Sequence, residues 1–186
     1  MASIGTAHAF YAPKPHAGTR SVTVYLLQSG LAVPVAVLAR AELVATKIFA
    51  SVGVPVEWHT RRAGGNSMDA AEAIEMQFDS GLPAPFHEGA FAYAMPYGTG
   101  GTRIHVFSDR VLRVSPDELS GSFLGHVMAH EITHVLEGIS RHSAEGVMKE
   151  HWSIHDFYEM GFRPLPFAIE DIGLIHAGLL RRKPEH

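Results

Sequence analysis

The sequence contains no cysteine among its 186 residues. This absence excludes disulfide bonds, thiolate zinc sites, iron–sulfur clusters and cysteine nucleophiles. An excess of positive charge is also missing: 15 lysines and arginines stand against 19 aspartates and glutamates, which gives a net charge of -4. A general nucleic-acid binder carries a basic excess, so we expect no nucleic-acid partner.

Long hydrophobic runs are absent as well. No stretch approaches the roughly 18 to 20 uninterrupted apolar residues that a membrane span requires, and the richest run, Leu31 to Ala41, contains Pro34 and Arg40. Residues 1–20 include two prolines and two glycines but no continuous apolar segment, unlike a signal peptide. We expect no membrane partner and a flexible N-terminal arm over residues 1–20. A secreted form without its leader fits equally well, so the sequence leaves the compartment unknown, and the oligomeric state with it.

The remaining composition is that of an ordinary globular domain, with 46% hydrophobic and 18% charged residues. The length favours one domain over residues 21–182 rather than several. Histidine is the outlier: the chain has 13, roughly three times what average usage gives. The composition therefore points to imidazole as the special chemistry of this chain.

Hydrophobic periodicity predicts a mixture of strands and helices. Apolar residues recurring every three or four positions predict helices over 35–51, 116–137 and 166–182. Alternating or β-rich runs predict five short strands, at 21–28, 54–59, 74–78, 90–95 and 103–107. The order strand, helix, strand at the start indicates a right-handed crossover and a largely parallel sheet.

Residues 130–134 form the pattern HExxH inside the predicted helix 116–137. His130 and His134 lie about 40° apart around an α-helix and about 6 Å apart along it. Their imidazoles can therefore converge on one zinc ion, at Zn–N distances of about 2.0 to 2.1 Å. Glu131 is rotated about 100° from His130, which leaves it free to act as the general base for a metal-bound water.

A catalytic zinc site has three protein ligands and one open position, so a third ligand is needed. Four residues follow closely enough: Glu137, His142, Glu145 and Glu150. Glu137 would have to reach back about 7.5 Å along the helix axis. Gly138 can end the helix, and a chain that turns there brings His142 beneath the metal. His142 is therefore the favoured third ligand, and the nearby glutamates stay open as alternatives.

Other polar and aromatic residues are less specific. His126 lies four residues before His130 and could support the site, but a solvent-facing position is favoured. Asp109 follows the fifth strand and is expected to cap a loop. Three aromatic residues are expected in the core around the last helix: Trp152, Phe157 and Tyr158.

The histidine pattern is part of a wider resemblance to a known family. The chain is similar to the metzincin clan of zinc endopeptidases, whose signature is HExxHxxGxxH followed by a Met-turn, and to small bacterial single-domain members with HExxHxxxGxxxHSxxGxM. The residues that carry this resemblance are His130, Glu131, His134, Gly138, His142, Ser143, Gly146, Val147 and Met148. The spacing departs from the clan: the glycine lies four residues after His134 instead of three, and the third histidine eight instead of six.

The resemblance implies an α/β (α+β) fold. It has a mixed, mostly parallel five-stranded sheet with a long backing helix, an active-site helix and a C-terminal helix. Met148 would be the Met-turn methionine, which packs under the metal without binding it; an ordinary core methionine is the alternative. The fourth strand would be the sheet edge that pairs with an extended peptide, through Phe91, Ala92, Tyr93 and Ala94.

The leading hypothesis is therefore a zinc metalloendopeptidase with one Zn²⁺, acting on a peptide or protein substrate. Two alternatives stay open. One is a non-catalytic zinc-binding module whose site is closed by four protein ligands, and the other is a zinc hydrolase of a non-peptide amide. The sequence does not fix the cleavage specificity or decide whether the N-terminal arm is inhibitory.

Overall fold

A computed structural model describes residues 20–28, 33–62, 73–79, 90–98 and 101–182 of the chain. The strands are β1 (Val22–Gln28), β2 (Val56–Arg62), β3 (Ile74–Asp79), β4 (Ala92–Gly98) and β5 (Gly101–Phe107). The helices are α1 (Val35–Ala50), α2 (Ser108–Val114), α3 (Asp117–Glu137), α4 (Ile154–Phe162) and α5 (Ile169–Arg181). The predicted N-terminal arm lies outside the described residues except for Arg20, and the single catalytic domain over 21–182 stays a prediction.

The five strands form one sheet in the order β2-β1-β3-β5-β4. β1 pairs in parallel with β2 and with β3, and β3 pairs in parallel with β5. Only β4 runs antiparallel, along the outer side of β5. The predicted α/β fold with a mixed, mostly parallel five-stranded sheet is confirmed, and each predicted strand is present within a few residues of its expected bounds.

The core lies between the sheet and the helices α1 and α3. Alternate residues of the strands, such as Val24, Met76 and Ile104, are fully buried, as are the inward residues of α1. Gly125 of α3 lets the two helices approach closely, because a Cβ atom there would lie 2.7 Å from the carbonyl oxygen of Ala41. The long backing helix and the active-site helix of the expected fold are therefore in direct contact.

The ends of α3 follow from local sequence. Asp117 and Glu118 occupy the first turn, where negative charge is favourable next to the helix dipole. At the other end Gly138 adopts the left-handed conformation with φ 70°, and its amide donates a hydrogen bond to the carbonyl oxygen of His134. Glycine reaches this conformation without steric cost, so the predicted helix end is confirmed.

Two helices were not predicted. α2 begins directly after β5, so Asp109 lies in the first turn of a helix and pairs with Arg113 instead of capping a loop. α4 is capped by Ser153, whose hydroxyl and backbone amide exchange hydrogen bonds with Asp156 in a capping box. The pattern Ser153-x-x-Asp156 was a usable helix-start signal.

The C-terminal helix α5 packs against the end of α3. Gly178 makes this contact possible, since a Cβ atom at that position would lie 1.8 Å from the carbonyl oxygen of Leu136. Arg181 extends the contact by donating to the carbonyl oxygen of Glu137. None of the helices in the described part of the chain is both long and apolar enough to cross a membrane.

Candidate metal centre

Two of the predicted ligands, His130 and His134, lie half-buried on α3 with their rings turned toward each other. Nδ1 of His130 lies 2.9 Å from the carbonyl oxygen of Val147, and Nδ1 of His134 lies 3.3 Å from that of Ile139. A carbonyl oxygen only accepts hydrogen bonds, so each Nδ1 carries the proton. The Nε2 lone pairs therefore face each other, with the two atoms 3.0 Å apart.

His142 completes a group of three. Its ring centroid lies 5.3 Å from that of His130 and 5.1 Å from that of His134. Each histidine offers one nitrogen, and these nitrogens lie within 4.8 Å of one another. Ligand nitrogens around a tetrahedral zinc would be about 3.3 Å apart at the usual Zn–N distance. Among the described residues, no glutamate considered as a third ligand belongs to this group.

The donor set fits a borderline-soft divalent cation. Two nitrogen lone pairs held 3.0 Å apart repel each other, and a cation or a shared proton between them removes that repulsion. Burial, reinforced by the neighbouring imidazole, lowers the pKa of His130 to about 3 and that of His134 to about 4. Both rings are therefore neutral at pH 7, which is the form that binds metal. The residues present thus suit zinc.

Glu131 lies beside these histidines with 8% of its surface exposed, and it lines the same cleft. Burial raises the pKa of its carboxyl group to about 8, because desolvation disfavours the charged form. A cation held by the three histidines would favour the carboxylate and lower this pKa. The arrangement gives a buried carboxyl group whose protonation is coupled to the occupancy of the site.

The cleft has a volume of about 1260 Å³ and runs between the edge of the sheet and the segment after the centre. Phe91, Ala92, Tyr93 and Ala94 all line it; the last three belong to β4, and Phe91 directly precedes that strand. Among the described strands, β4 pairs with β5 and is the last in the order of the sheet. The predicted edge residues therefore lie along the cleft that contains the histidines.

An aromatic cluster also lines the cleft. Phe123 lies 4.9 Å from Phe157 and 5.7 Å from Trp152, measured between ring centroids, and Trp152 lies 5.7 Å from His130. Tyr158 also lines the cleft and is 65% exposed. Trp152, Phe157 and Tyr158 were expected in the core around the last helix. That expectation was wrong for Tyr158 and incomplete for the other two, because α4 and the residues just before it place these rings at the cleft.

The segment after α3 turns beneath the histidines. Gly146 has φ 75°, and a Cβ atom there would lie 2.1 Å from the carbonyl oxygen of Pro166. That same carbonyl accepts from the amide of Val147, while the carbonyl of Met148 accepts from the amide of Ser143. The Met148 side chain is fully buried, which both interpretations of this methionine require.

His126 is not solvent-facing. Its ring is fully buried, with Nδ1 2.7 Å from the carbonyl oxygen of Ser122 and Nε2 accepting from the amide of Leu165 at 3.0 Å. Burial lowers its pKa to about 4. The neutral ring therefore ties α3 to the chain that leads into α5, a contact 39 residues away in sequence that periodicity could not reveal.

Comparison with known proteins identifies the fold. No family model matches the chain, and no curated protein matches it either. Among solved structures, archaemetzincin from Methanopyrus kandleri aligns with a TM-score of 0.58 at 17% identity, over 88% of this chain and 97% of that one. The chain has a metzincin-like fold.

A second structure agrees with this assignment. Metalloproteinase-II from Bacteroides fragilis aligns with a TM-score of 0.54 at 11% identity, over 89% of this chain and 55% of that one. The metzincin-like fold of this chain thus spans just over half the length of that metalloproteinase. At such low identities the likeness concerns the fold, and the role of each residue depends on the geometry described above.

Proposed function

We propose that this chain is a zinc-dependent metalloendopeptidase in which His130, His134 and His142 hold one Zn²⁺ and Glu131 is the general base. The observation that carries the proposal is the convergence of three imidazole nitrogens within 4.8 Å, next to a buried carboxyl group in an open cleft. A metzincin-like fold shared with archaemetzincin and a metalloproteinase supports it.

The rings of His130 and His134 are already oriented to hold the ion. Hydrogen bonds from Nδ1 to backbone carbonyls fix the rings of His130 and His134 and direct Nε2 into the site. Such partners of the remote ring nitrogen orient the ligand and raise its basicity. His142 is exposed, and all three histidines line the cleft, so an ion held by them would be accessible from the cleft.

Zinc at this position supplies a Lewis acid and lowers the pKa of a bound water toward about 7. Glu131 takes the proton of the attacking water and later delivers it to the departing amine nitrogen. Its low exposure keeps bulk water from competing for that proton.

The substrate would be an extended peptide or protein segment lying along β4. β4 is the last strand of the described sheet, and an edge strand can pair with a peptide main chain through backbone amide and carbonyl groups. Phe123, Trp152 and Phe157 line the same cleft and can accept an apolar side chain. A sheet edge beside the centre favours a peptide over a smaller non-peptide amide.

The test is zinc content and cleavage of a peptide library by the wild type and by Glu131→Gln. The variant should retain one equivalent of zinc and lose about 100-fold or more of its turnover, the usual contribution of a general base. Glu118→Gln is the matched control, because Glu118 is an exposed glutamate at the far end of the same helix.

Two outcomes would contradict the proposal. Full chelator-sensitive cleavage by Glu131→Gln would exclude Glu131 as the base. A wild type that binds one zinc, melts on chelation and cleaves no peptide would instead support the non-catalytic zinc module.

A further inference from the structure

The residues on both sides of His142 are held by one carboxylate from the C-terminal helix. Oδ1 of Asp171 accepts a hydrogen bond from Nη1 of Arg141 at 2.7 Å and another from the hydroxyl of Ser143 at 2.6 Å. Arg141 and Ser143 directly precede and follow His142 in the chain. The contact spans 28 to 30 residues of sequence, so it joins α5 to the segment that carries the third histidine.

Asp171 is itself firmly fixed. Its side chain is fully buried, and its second oxygen accepts from the backbone amide of Ala168 at 3.1 Å. The neighbouring groups are bonded to each other as well, since Nη2 of Arg141 donates to the hydroxyl of Ser143 at 3.0 Å. A buried carboxylate whose charge is paired and whose oxygens both accept hydrogen bonds is a rigid anchor.

His142 lacks the support that the other two histidines have. His130 and His134 lie within a regular helix, and a backbone carbonyl fixes each ring. His142 lies in an irregular segment and is exposed, and no hydrogen bond to its ring is found within the described residues. The direction of its side chain therefore depends on the backbone of Arg141 and Ser143.

We propose that Asp171 is a positioning residue for the third metal ligand. By holding Arg141 and Ser143, it orders the backbone around His142 before metal arrives, so that the imidazole meets the other two nitrogens. This inference rests on the proposed function, because it takes His142 to be a ligand. It means that α5, although remote in sequence from the HExxH pattern, contributes to the zinc affinity of the centre.

The test compares the zinc dissociation constants of Asp171→Asn and Glu170→Gln, measured by competition with a chromophoric chelator. Glu170 is the matched control, since it also accepts from Arg141 but is 63% exposed and does not contact Ser143. Loss of a residue that orients a metal ligand typically weakens affinity about 10- to 100-fold. We expect that loss for Asp171→Asn and less than about a twofold change for Glu170→Gln.

A second variant covers the case in which Asp171→Asn fails to fold. Ser143→Ala removes one of the two contacts and leaves the ion pair between Asp171 and Arg141 in place. Since a single hydrogen bond contributes modestly, affinity should fall about fivefold. The visible spectrum of the Co²⁺-substituted protein should change in the same variants, because it reports the ligand geometry directly.

A double-mutant cycle separates positioning from general stabilisation. In a His142→Ala background, Asp171→Asn should have no further effect on zinc affinity, because the ligand that it orients is gone. An equal effect with and without His142 would overturn the inference. A lower melting temperature of the metal-free protein with unchanged zinc affinity would overturn it too. Unchanged affinity in His142→Ala alone would instead refute the proposed ligand set, and this inference with it.

Discussion

The candidate centre consists of two parts that the protein builds in different ways. The helix part is the turn of α3 that contains His130, Glu131 and His134, and its internal geometry follows from the helical repeat. The loop part is the segment 138–148, which contains His142 and Met148 and has little regular structure. The two parts come together at the candidate centre, where the three histidine nitrogens lie within 4.8 Å of one another.

The difference lies in the range of the interactions that fix each part. The backbone of the helix part is held by hydrogen bonds within α3 and by the packing of that helix in the core. The loop part depends on groups far along the chain: the carbonyl of Pro166, which accepts from Val147, and the carboxylate of Asp171. A helical motif carries its own geometry, whereas a ligand on a loop needs the rest of the fold to place it.

Removing a ligand from either part should have the largest effect. We expect His134→Ala and His142→Ala each to weaken zinc binding by more than about 100-fold, since losing a ligand costs more than losing a residue that supports one. The two parts should differ in the metal-free protein. His142 is exposed, so His142→Ala should leave the free energy of unfolding within about 0.5 kcal/mol of wild type. His134 is half-buried, so His134→Ala should lower the free energy of unfolding by more than that.

Isothermal titration with zinc and denaturant unfolding of the metal-free variants would measure both quantities. His155→Ala is the control, because His155 is an exposed histidine outside the three-histidine group. The comparison would be wrong if His142→Ala destabilised the metal-free protein more than His134→Ala. The loop part would then contribute more to the stability of that protein than the helix part.

A smaller effect is expected from a substitution at the turn of the loop part. Gly146→Ala places a Cβ atom 2.1 Å from the carbonyl oxygen of Pro166, at φ 75°. The left-handed conformation and the overlap together should lower the free energy of unfolding by about 2 to 4 kcal/mol. Chemical denaturation of the metal-free protein would measure the loss.

Gly173→Ala is the matched control for this substitution. Gly173 lies in α5, and a Cβ atom there would have no neighbour within 4 Å. Because alanine favours helix, this variant should be more stable than wild type by up to about 1 kcal/mol. If the two variants were equally stable, the close contact with Pro166 would not restrict the side chain that position 146 can accept.

The pH dependence of stability should give the smallest effect. The pKa of His126 in the folded protein is about 4, below the ordinary value of about 6.5 in the unfolded chain. Between these values the unfolded chain binds more protons, so stability falls as the pH falls from about 6.5 to 4. Replacing His126 with glutamine should reduce this slope by up to about 1.4 kcal/mol per pH unit.

Unfolding of the metal-free wild type, His126→Gln and His155→Gln at several pH values would test this. His130 and His134 contribute to the pH dependence of stability in all three proteins. The difference in slope between the wild type and His126→Gln therefore reports the contribution of His126. A slope unchanged by His126→Gln would show that burial does not hold this ring neutral. It would also mean that the contact of α3 with the distant residue Leu165 contributes less to stability than the structure indicates.

Local sequence predicted much of the fold because most elements carry their own signals. The strands and α1, α3 and α5 have periodic apolar residues, and Gly138 ends α3 as expected. α2 and α4 are short and add few buried residues of their own, so periodicity did not detect them. As a result the position of Tyr158 was predicted wrongly, and the cleft positions of Trp152 and Phe157 were not foreseen.

The sequence by itself determined the helix part, because a spacing of four residues brings His130 and His134 together in any α-helix. It favoured His142 as the third member of the group but left nearby glutamates open. Only the tertiary structure brought His142 to the other two, buried His126 against Leu165, and joined Asp171 to both neighbours of the third histidine. The contacts of His126 and Asp171 connect residues 28 to 39 positions apart, and only burial of the common core brings such distant groups within hydrogen-bonding distance.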